Sequence, residues 1–406
     1  MSKLFSSKMR IWIDGYEANV PQRLGSSQIA FELLKHLEKL DQKNDYSILL
    51  PSPPMDDLPK TREGWRYKIL KPAKLWTRIA LPLALYSSRK KPDLIFSPTH
   101  YIPRFSPVKR LVTIFDLSFI HFPEMFNKKD LWQLKNWTKF SVKNADFIIT
   151  ISKNTRDDII KEYGVNKNKI SLAYPGFDES AFHKIFDRNK IKKIQSKYKT
   201  GSNYILYIGT IQPRKNLIRL IEAFSRIVSS VKGQESTKKQ SRFSTLATSN
   251  LKLVIVGKTT GLGRQAWMFE ETLEAPKKFG VEDEVILTGF VPTKDLPYLI
   301  NGAMAFIQPS LYEGFGIPVV EAMVCGVPVL VSNTSSLPEV VGKAGIMFDP
   351  YSVTQIEQAI RTVLSDKKIR DKYAKLSLKQ AKKFSWRKMA RVVLDVFEKQ
   401  IGENKQ

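Results

Sequence analysis

The feature that most constrains the fold is a regular alternation of short apolar runs with longer helical segments, which occurs twice along the 406 residues. The first series of apolar runs lies at residues 11–14, 46–50, 94–97, 111–115, 147–151 and 169–173. The second lies at residues 204–208, 251–256, 284–288, 303–308 and 327–332. Strands that alternate with helices pair in parallel, so the pattern predicts an α/β protein with two doubly wound parallel sheets.

A break in composition separates the two series. Tyr174-Pro175-Gly176 interrupts the pattern, and residues 188–199 are polar and rich in lysine. We therefore predict that a second domain begins at residue 188, in a chain long enough for two full cores. Two such lobes in series should face a cleft at the strand ends, where ligands bind in parallel sheets.

Residues 296–338 are depleted of charge, with only two charged side chains in a protein that is 26% charged. These are Glu313, in a glycine-rich loop at 309–317, and Glu321, in a short helix predicted at 318–325. The N-terminus of that helix favours a phosphate. Since carboxylates repel phosphate, their expected partners are sugar or ribose hydroxyls. The alternative is that Glu313 is solvated and Glu321 only offsets the helix dipole.

Two cations follow the first strand of the second series. Arg214 and Lys215 lie in the loop after residues 204–208, at the edge where a ligand should bind. There they can stabilise the charge that develops on a leaving phosphate, although a solvated turn is the alternative. The chain has no Asp-x-Asp sequence and only four histidines, none at metal-ligand spacing, so we expect no metal site.

The formal net charge of +27 indicates attraction to phosphates, whether of a nucleotide, a nucleic acid or an anionic membrane. No nucleic-acid-binding motif accompanies it, so no nucleic-acid partner is expected. Residues 75–86 are apolar and flanked by basic residues, which is compatible with membrane contact but more typical of a core helix. One cysteine, and the absence of a signal peptide or a spanning segment, indicate the cytoplasm, with peripheral contact at the inner membrane face left open.

Several motifs of the chain occur together in one known enzyme family. They are Tyr207-Ile208-Gly209-Thr210, Pro213-Arg214-Lys215-Asn216, Glu313-Gly314-Phe315-Gly316 with Glu321, Gly326-Val327-Pro328-Val329 and Phe384-Ser385-Trp386. Over nearly its whole length the chain resembles the retaining GT-B glycosyltransferases of family 4, the glycosyl transferases group 1. The resemblance implies two Rossmann-like domains facing a cleft. Residues 1–187 with 385–406 would form the acceptor-side domain, and residues 188–384 the nucleotide-sugar-binding domain.

The resemblance also implies roles for individual residues. Arg214 and Lys215 would bind the diphosphate of the donor, Glu313 its sugar and Glu321 its ribose, without a metal or other cofactor. Further donor contacts would come from Gly25, Gly209, Phe290, Gly314, Phe315 and Gly316.

The chain departs from the family at one position. Members often have His-Asp after the strand at 111–114, where this chain has Phe115-Asp116. Asp116 therefore stays in the expected catalytic set, whereas the histidine is missing. His100 or His121 can lie nearby, although a structural histidine is the simpler interpretation of each.

We therefore expect a transferase that moves a hexose, first of all mannose, from a nucleotide diphosphate sugar to a hydroxyl acceptor. The donor would be GDP-mannose or a UDP-hexose, and the acceptor a carbohydrate or a lipid-linked sugar in polysaccharide or glycolipid synthesis. Two alternatives stay open at this stage. One is a sugar-nucleotide epimerase of the same architecture, and the other is a non-catalytic basic protein that binds nucleic acid or membranes.

Overall fold

A computed structural model describes residues 8–23, 25–235, 250–258 and 267–402. The chain divides into two compact units. The first contains the chain up to Gly176 and again from Ser385, and the second runs from Phe177 to Phe384. Each unit is built on its own parallel sheet, so the α/β class expected from the alternating pattern is confirmed.

The sheet of the first unit has seven strands among the described residues, in the order β3-β2-β1-β4-β5-β6-β7. Every pair of neighbours in it is parallel. Its strands are β1 (Arg10–Asp14), β2 (Asp45–Leu50), β3 (Trp65–Ile69), β4 (Leu94–Ser97), β5 (Lys109–Ile114), β6 (Phe147–Thr150) and β7 (Ile170–Leu172). Its helices before Gly176 are α1 (Ser26–Leu40), α2 (Leu81–Ser87), α3 (Ser118–His121), α4 (Lys128–Asn144) and α5 (Lys153–Tyr163).

The sheet of the second unit has six strands among the described residues, all parallel, in the order β10-β9-β8-β11-β12-β13. The strands are β8 (Tyr204–Ile208), β9 (Lys252–Val256), β10 (Val285–Gly289), β11 (Ala305–Gln308), β12 (Val329–Ser332) and β13 (Gly345–Phe348). The helices are α6 (Arg188–Lys197), α7 (Leu217–Glu235), α8 (Trp267–Lys278), α9 (Leu296–Gly302), α10 (Ile317–Val324), α11 (Leu337–Val341), α12 (Val353–Ser365) and α13 (Lys367–Ala381).

In both sheets the strand order reverses beside the first strand. The chain moves outward from β1 to β3 and then returns to the other side of β1 as β4; β8 and β11 repeat this arrangement. Loops that leave the two central strands at their carboxyl ends diverge, and ligands bind in the crevice between them. In the second unit those loops carry the two cations and Glu313.

The last helix, α14 (Trp386–Gly402), belongs to the first unit and packs against α1. Phe397 meets Phe96 of β4 edge-on at 5.3 Å, and the ammonium of Lys109 donates to the carbonyl of Gln400 at 2.6 Å. Gly176 lies so close to this return that a Cβ there would be 2.0 Å from the Trp386 nitrogen. The two places where the chain passes between the units therefore adjoin.

The chain first passes from the first unit to the second after Gly176. The sequence predicted that the second domain begins later, at residue 188. Residues 177–187 pack with the second unit because Asn301 of α9 holds them. Its side chain accepts the N–H of Ile185 at 2.8 Å and donates to the carbonyl of His183 at 3.0 Å. The break in composition coincides with the lysine-rich helix α6. It does not reveal the segment at 177–187, which is held by Asn301.

Two strands escaped the apolar-run criterion because both are edge strands with exposed positions. In β3, Arg66 and Lys68 interrupt the apolar character, and in β13 Met347 is exposed. The ends of α5 follow local sequence signals. Ser152 accepts the Thr155 N–H at 3.1 Å, and Gly164 ends the helix in the left-handed region with φ of 62°.

Candidate functional site

The site in the second unit forms where the strand order reverses. The loop after β8 carries Arg214 and Lys215, and the loop after β11 carries Tyr312 and Glu313. A backbone hydrogen bond of 2.8 Å from the Leu311 N–H to the Arg214 carbonyl ties the two loops together. The cations and the first glutamate, far apart in sequence, thus meet at one sheet edge.

At the centre of the site is a buried ion pair. The ammonium of Lys215 lies 2.5 Å from Oε1 of Glu313, and both residues are 7% exposed. The same oxygen accepts from Nε2 of Gln308 at 2.6 Å and from Oγ of Ser310 at 2.7 Å. The interpretation of Glu313 as a solvated residue is therefore wrong.

The surroundings of Glu313 keep its carboxyl ionised. Burial alone would raise its pKa, but the charges of Lys215 and Arg214 and the hydrogen bonds to Oε1 outweigh burial and lower the pKa to about 2. At neutral pH the group is thus an acceptor of hydrogen bonds only. It can accept hydrogen bonds from the hydroxyl groups of a ligand, but it is too weak a base to remove their protons.

Arg214 lies at the accessible side of this pair. Its Nη1 donates to the Tyr312 carbonyl at 3.1 Å and lies 3.7 Å from Oε2 of Glu313. The arginine side chain is 20% exposed, more than that of Lys215. The guanidinium can therefore meet an anion from solvent while its position is fixed by the loop after β11.

The glycine loop is held by the segment after β12. The Glu313 N–H donates to Oγ of Ser335 at 2.9 Å, and Oγ of Ser336 donates to the carbonyls of Glu313 and Phe315 at 2.9 and 3.2 Å. Gly316 has φ of 97°, a conformation that favours glycine, and a Cβ there would lie 3.0 Å from Leu337. The loop is thus preformed.

Glu321 lies in different surroundings from Glu313. Helix α10 begins at Ile317, so Glu321 falls after the first turn. Burial raises the pKa of its carboxyl to about 8, and the charge of Asp178 adds to this effect. The group is therefore largely protonated at neutral pH and can both donate and accept a hydrogen bond.

Comparison with known proteins identifies the chain. The family model described as "Glycosyl transferases group 1" matches residues 187–380, and that described as "Glycosyltransferase Family 4" matches residues 25–181. O-antigen chain mannosyltransferase B of Escherichia coli is 31% identical over 304 residues, which are 74% of this chain and 73% of that protein. The chain belongs to glycosyltransferase family 4.

Further similarities support the same architecture. The serotype-specific mannosyltransferase WbdA of Escherichia coli is 28% identical over 265 residues, 65% of this glycosyltransferase but only 30% of that longer protein. The crystal structure of Anabaena HepE in complex with UDP and glucose aligns with a TM-score of 0.71 and 17% identity, over 96% of this chain and 99% of that one. The GT-B fold expected from the resemblance is thereby confirmed.

The remaining donor-site candidates of the second unit occupy varied positions. Gly209 follows β8 directly, and its N–H donates to the Val256 carbonyl at 3.0 Å. Phe315 is buried edge-on against Phe384 at 5.3 Å, and Gly314 is buried between it and Glu313. Phe290 follows β10, two strands from β8, and is 55% exposed.

In the first unit of the glycosyltransferase, Gly25 caps α1 with φ of 56° and is exposed. Asp116 follows β5, and its Oδ1 accepts both the N–H and the hydroxyl of Ser118, at 2.9 and 2.7 Å, which fixes the start of α3. Asp116 is thus occupied in a turn. Its assignment as a catalytic residue stays a prediction.

The structure decides which histidine lies beside the departure from the family pattern. His100 accepts the N–H of Phe115 on Nε2 at 3.0 Å, whereas Nε2 of His121 lies 3.2 Å from Asp158. Burial lowers the pKa of His100, and the charge of Asp116 opposes this only in part. The ring is therefore neutral at pH 7, with its proton on Nδ1.

Sequence reasoning missed the polar partners of the site. Gln308 and Ser310 share Oε1 of Glu313, and Nδ2 of Asn216 donates to the carbonyls of Pro309 and Pro350 at 3.1 and 2.7 Å. The signal was present, because polar residues directly after a buried strand need partners. Within the described residues, no cluster of three or more His, Cys, Asp or Glu could hold a metal ion.

Proposed function

We propose that the protein is a retaining, metal-independent hexosyltransferase that uses a nucleotide diphosphate sugar to glycosylate a hydroxyl acceptor. The observation that carries the proposal is the buried Lys215–Glu313 pair, with Arg214 beside it, where the strand order reverses. A mannosyl group from GDP-mannose is the first choice and a UDP-hexose the second. The mannosyltransferase relatives favour the first, as they favour O-antigen-like polysaccharide or glycolipid synthesis.

The two cations would stabilise the leaving group. Breaking the bond between the anomeric carbon and the β-phosphate oxygen leaves an extra negative charge on the nucleoside diphosphate. Arg214 and Lys215 are positioned at the end of β8 to offset that charge, the task that a metal ion performs in other phosphoryl sites. Fixed cations in a partly buried site need little rearrangement as the charge develops.

The two glutamates would recognise different hydroxyl groups. Ionised Glu313 would accept hydrogen bonds from the hexose, and Glu321 would bind the ribose of the nucleotide. Ribose hydroxyls that donate to Glu321 stabilise its ionised form, so donor binding would release the proton that burial retains on this residue. Donor affinity would therefore depend on pH.

Retention follows if the acceptor attacks from the face that the diphosphate leaves. The new bond joins the acceptor oxygen to the anomeric carbon, and the acceptor proton passes to an oxygen of the leaving phosphate. The low pKa of Glu313 supports this route, because a carboxylate with pKa about 2 is a poor general base. The leaving phosphate is the stronger base at the site.

The test is turnover of GDP-mannose and of UDP-hexoses with sugar and lipid-linked sugar acceptors, in the presence and absence of EDTA. We expect a product whose anomeric configuration, determined by NMR, equals that of the donor, at a rate that EDTA does not change. Arg214→Ala should abolish most turnover, and Arg226→Ala, which removes an exposed arginine of α7, serves as the matched control. Inversion, loss of activity with EDTA, or epimerisation without an acceptor would each contradict the proposal.

A further inference from the structure

Part of the first unit exposes an apolar helix face that does not pack into the core of that unit. The chain turns at Leu75, forms a π-helical turn at Trp76–Ala80 and continues as α2. One side of this helix is buried in a cluster with Trp12, Leu49 and Ile95. The opposite side is also apolar, with Leu83 59% and Tyr86 56% exposed. The sequence interpretation of residues 75–86 as a core helix therefore accounts for only one of its faces.

The exposed face continues onto neighbouring segments. The Arg104 N–H donates to the Thr77 carbonyl at 2.7 Å, which brings Phe105 beside the helix. Arg78 lies over the ring of Trp137 of α4 at 4.6 Å, and a surface hollow joins Arg78 and Phe105 to Trp132. We call this surface the docking face; it consists of Leu75, Ile79, Leu83, Tyr86, Phe105 and Trp132, all exposed.

Cations surround the docking face. Residues 71–91 contain no acidic side chain, and their six basic residues, Lys71, Lys74, Arg78, Arg89, Lys90 and Lys91, are all exposed. On α4, Lys135 and Lys139 are also exposed and lie on the helix side of Trp132, three and seven residues further along. An apolar centre with a cationic border is the pattern of proteins that insert shallowly into an anionic bilayer.

We infer that the docking face binds the surface of an anionic lipid bilayer. Aliphatic side chains and Trp132 enter the region between headgroups and acyl chains, while the lysines and arginines pair with lipid phosphates. Charge complementarity selects this occupant, because the basic border suits anionic headgroups and the apolar centre gains little from a polyanion such as nucleic acid. No helix in the described part of the chain is long and apolar enough to cross the bilayer, so this contact would be peripheral.

The test is co-sedimentation of the full chain with vesicles of phosphatidylcholine, with and without phosphatidylglycerol, over a range of salt concentrations. The wild type should bind the anionic vesicles and release as salt rises. The double variant Ile79→Ser with Leu83→Ser should weaken binding about tenfold or more, because the inserted apolar area falls. Its matched control, Phe186→Ser with Tyr351→Ser, removes exposed aromatic residues of the second unit and should bind like the wild type.

A charge variant tests the border separately. Arg89, Lys90 and Lys91 replaced together by glutamine should weaken binding by a factor of about five per residue. Replacing Arg188, Lys192 and Lys193 of α6 by glutamine makes the same change in net charge away from the docking face and should have much less effect. Equal losses in the two charge variants would overturn the inference, since attraction would then depend only on the net charge of +27.

Tryptophan fluorescence reports insertion directly. Anionic vesicles should shift the emission of the wild type to shorter wavelength, and Trp132→Phe should lose that shift while still binding. If the serine double variant binds vesicles like its control, or if the shift persists in Trp132→Phe, the docking face is not the contact. If the wild type is a dimer in solution and the serine double variant is a monomer, the docking face binds a second copy of the chain instead. None of these measurements depends on turnover.

Discussion

Replacing Lys215 by methionine isolates the energy of the buried ion pair. The substitution keeps the unbranched chain up to the ε position and removes the ammonium, so Glu313 loses the cation 2.5 Å from Oε1. The carboxylate stays buried, with Gln308 and Ser310 as neutral donors and Arg214 at 3.7 Å from the other oxygen. An ionised group that loses its closest counterion in a buried site is strongly destabilising.

The magnitude follows from the pKa of Glu313. The site lowers it from 4.5 to about 2, and each pH unit corresponds to about 1.4 kcal/mol, so the ionised form is stabilised by about 3 kcal/mol. Losing Lys215 removes the largest part of this stabilisation and leaves the cost of burial. We therefore expect Lys215→Met to lower the free energy of unfolding of the second unit at pH 7 by about 3–5 kcal/mol.

The pH dependence provides a second signature. In the wild type, the stabilisation by Glu313 is fully present above pH 4.5 and is lost as pH falls through about 2. In Lys215→Met, burial raises the pKa of Glu313 above its ordinary value, so the variant becomes more stable as pH falls from 7 and the carboxyl gains a proton. The difference between the two proteins should therefore shrink in acid.

The assay is urea unfolding followed by circular dichroism, with the denaturant midpoint and slope determined at several pH values. Adding Glu313→Gln to Lys215→Met should restore most of the lost stability, because a neutral amide no longer needs a cation. Lys197→Met is the matched control; its partner Asp295 is as close, at 2.6 Å, but the lysine is half exposed. The reasoning fails if Lys215→Met and Lys197→Met cost the same, or if the double variant is no more stable than Lys215→Met at pH 7.

Three further predictions follow. Arg214→Ala should lower kcat/KM for the nucleotide sugar by about 10²–10³-fold with little change in Tm, measured by steady-state kinetics and thermal unfolding, because one fixed cation is lost from the leaving group. Donor affinity of the wild type, measured by calorimetry, should rise with pH up to about 8, and Glu321→Gln should remove that dependence. Burial raises the pKa of Asp14 from 3.8 to about 6, so raising the pH from about 4 to 7 should cost the wild type about 2.5 kcal/mol of stability relative to Asp14→Asn; parallel unfolding curves would contradict this.

The sequence predicted those parts of the fold and site that depend on local pattern. Buried strands such as β8 and β11 are continuous apolar runs because both faces of a parallel sheet are covered. The short helix α10 was predicted at 318–325 and occurs at Ile317–Val324, since Pro318 and Gly326 mark its ends. The placement of Arg214 and Lys215 at a strand end followed from the same pattern.

The parts that escaped prediction depend on residues distant in sequence. The pKa of Glu321 is raised first by burial and then by the charge of Asp178, a residue that no periodicity relates to it, and both depend on the folded unit. The pairing of Lys215 with Glu313 required knowledge that β8 and β11 are neighbours, although β9 and β10 intervene in the chain. The sequence also did not predict that one side of α2 is exposed. A helix that is apolar on both sides has the same sequence pattern whether one face or both faces are buried.

The contact between Gly176 and Trp386 affects the order in which the molecule can fold as it is synthesised. Helix α1 leaves the ribosome before the second unit, but its partner α14 leaves after it. All residues of the second unit are made between them. The first unit therefore cannot complete its fold before the second unit has been made, although N-terminal domains usually fold first. The second unit can complete its core on the ribosome, whereas the side chains of α1 that face α14 stay uncovered until α14 has been made.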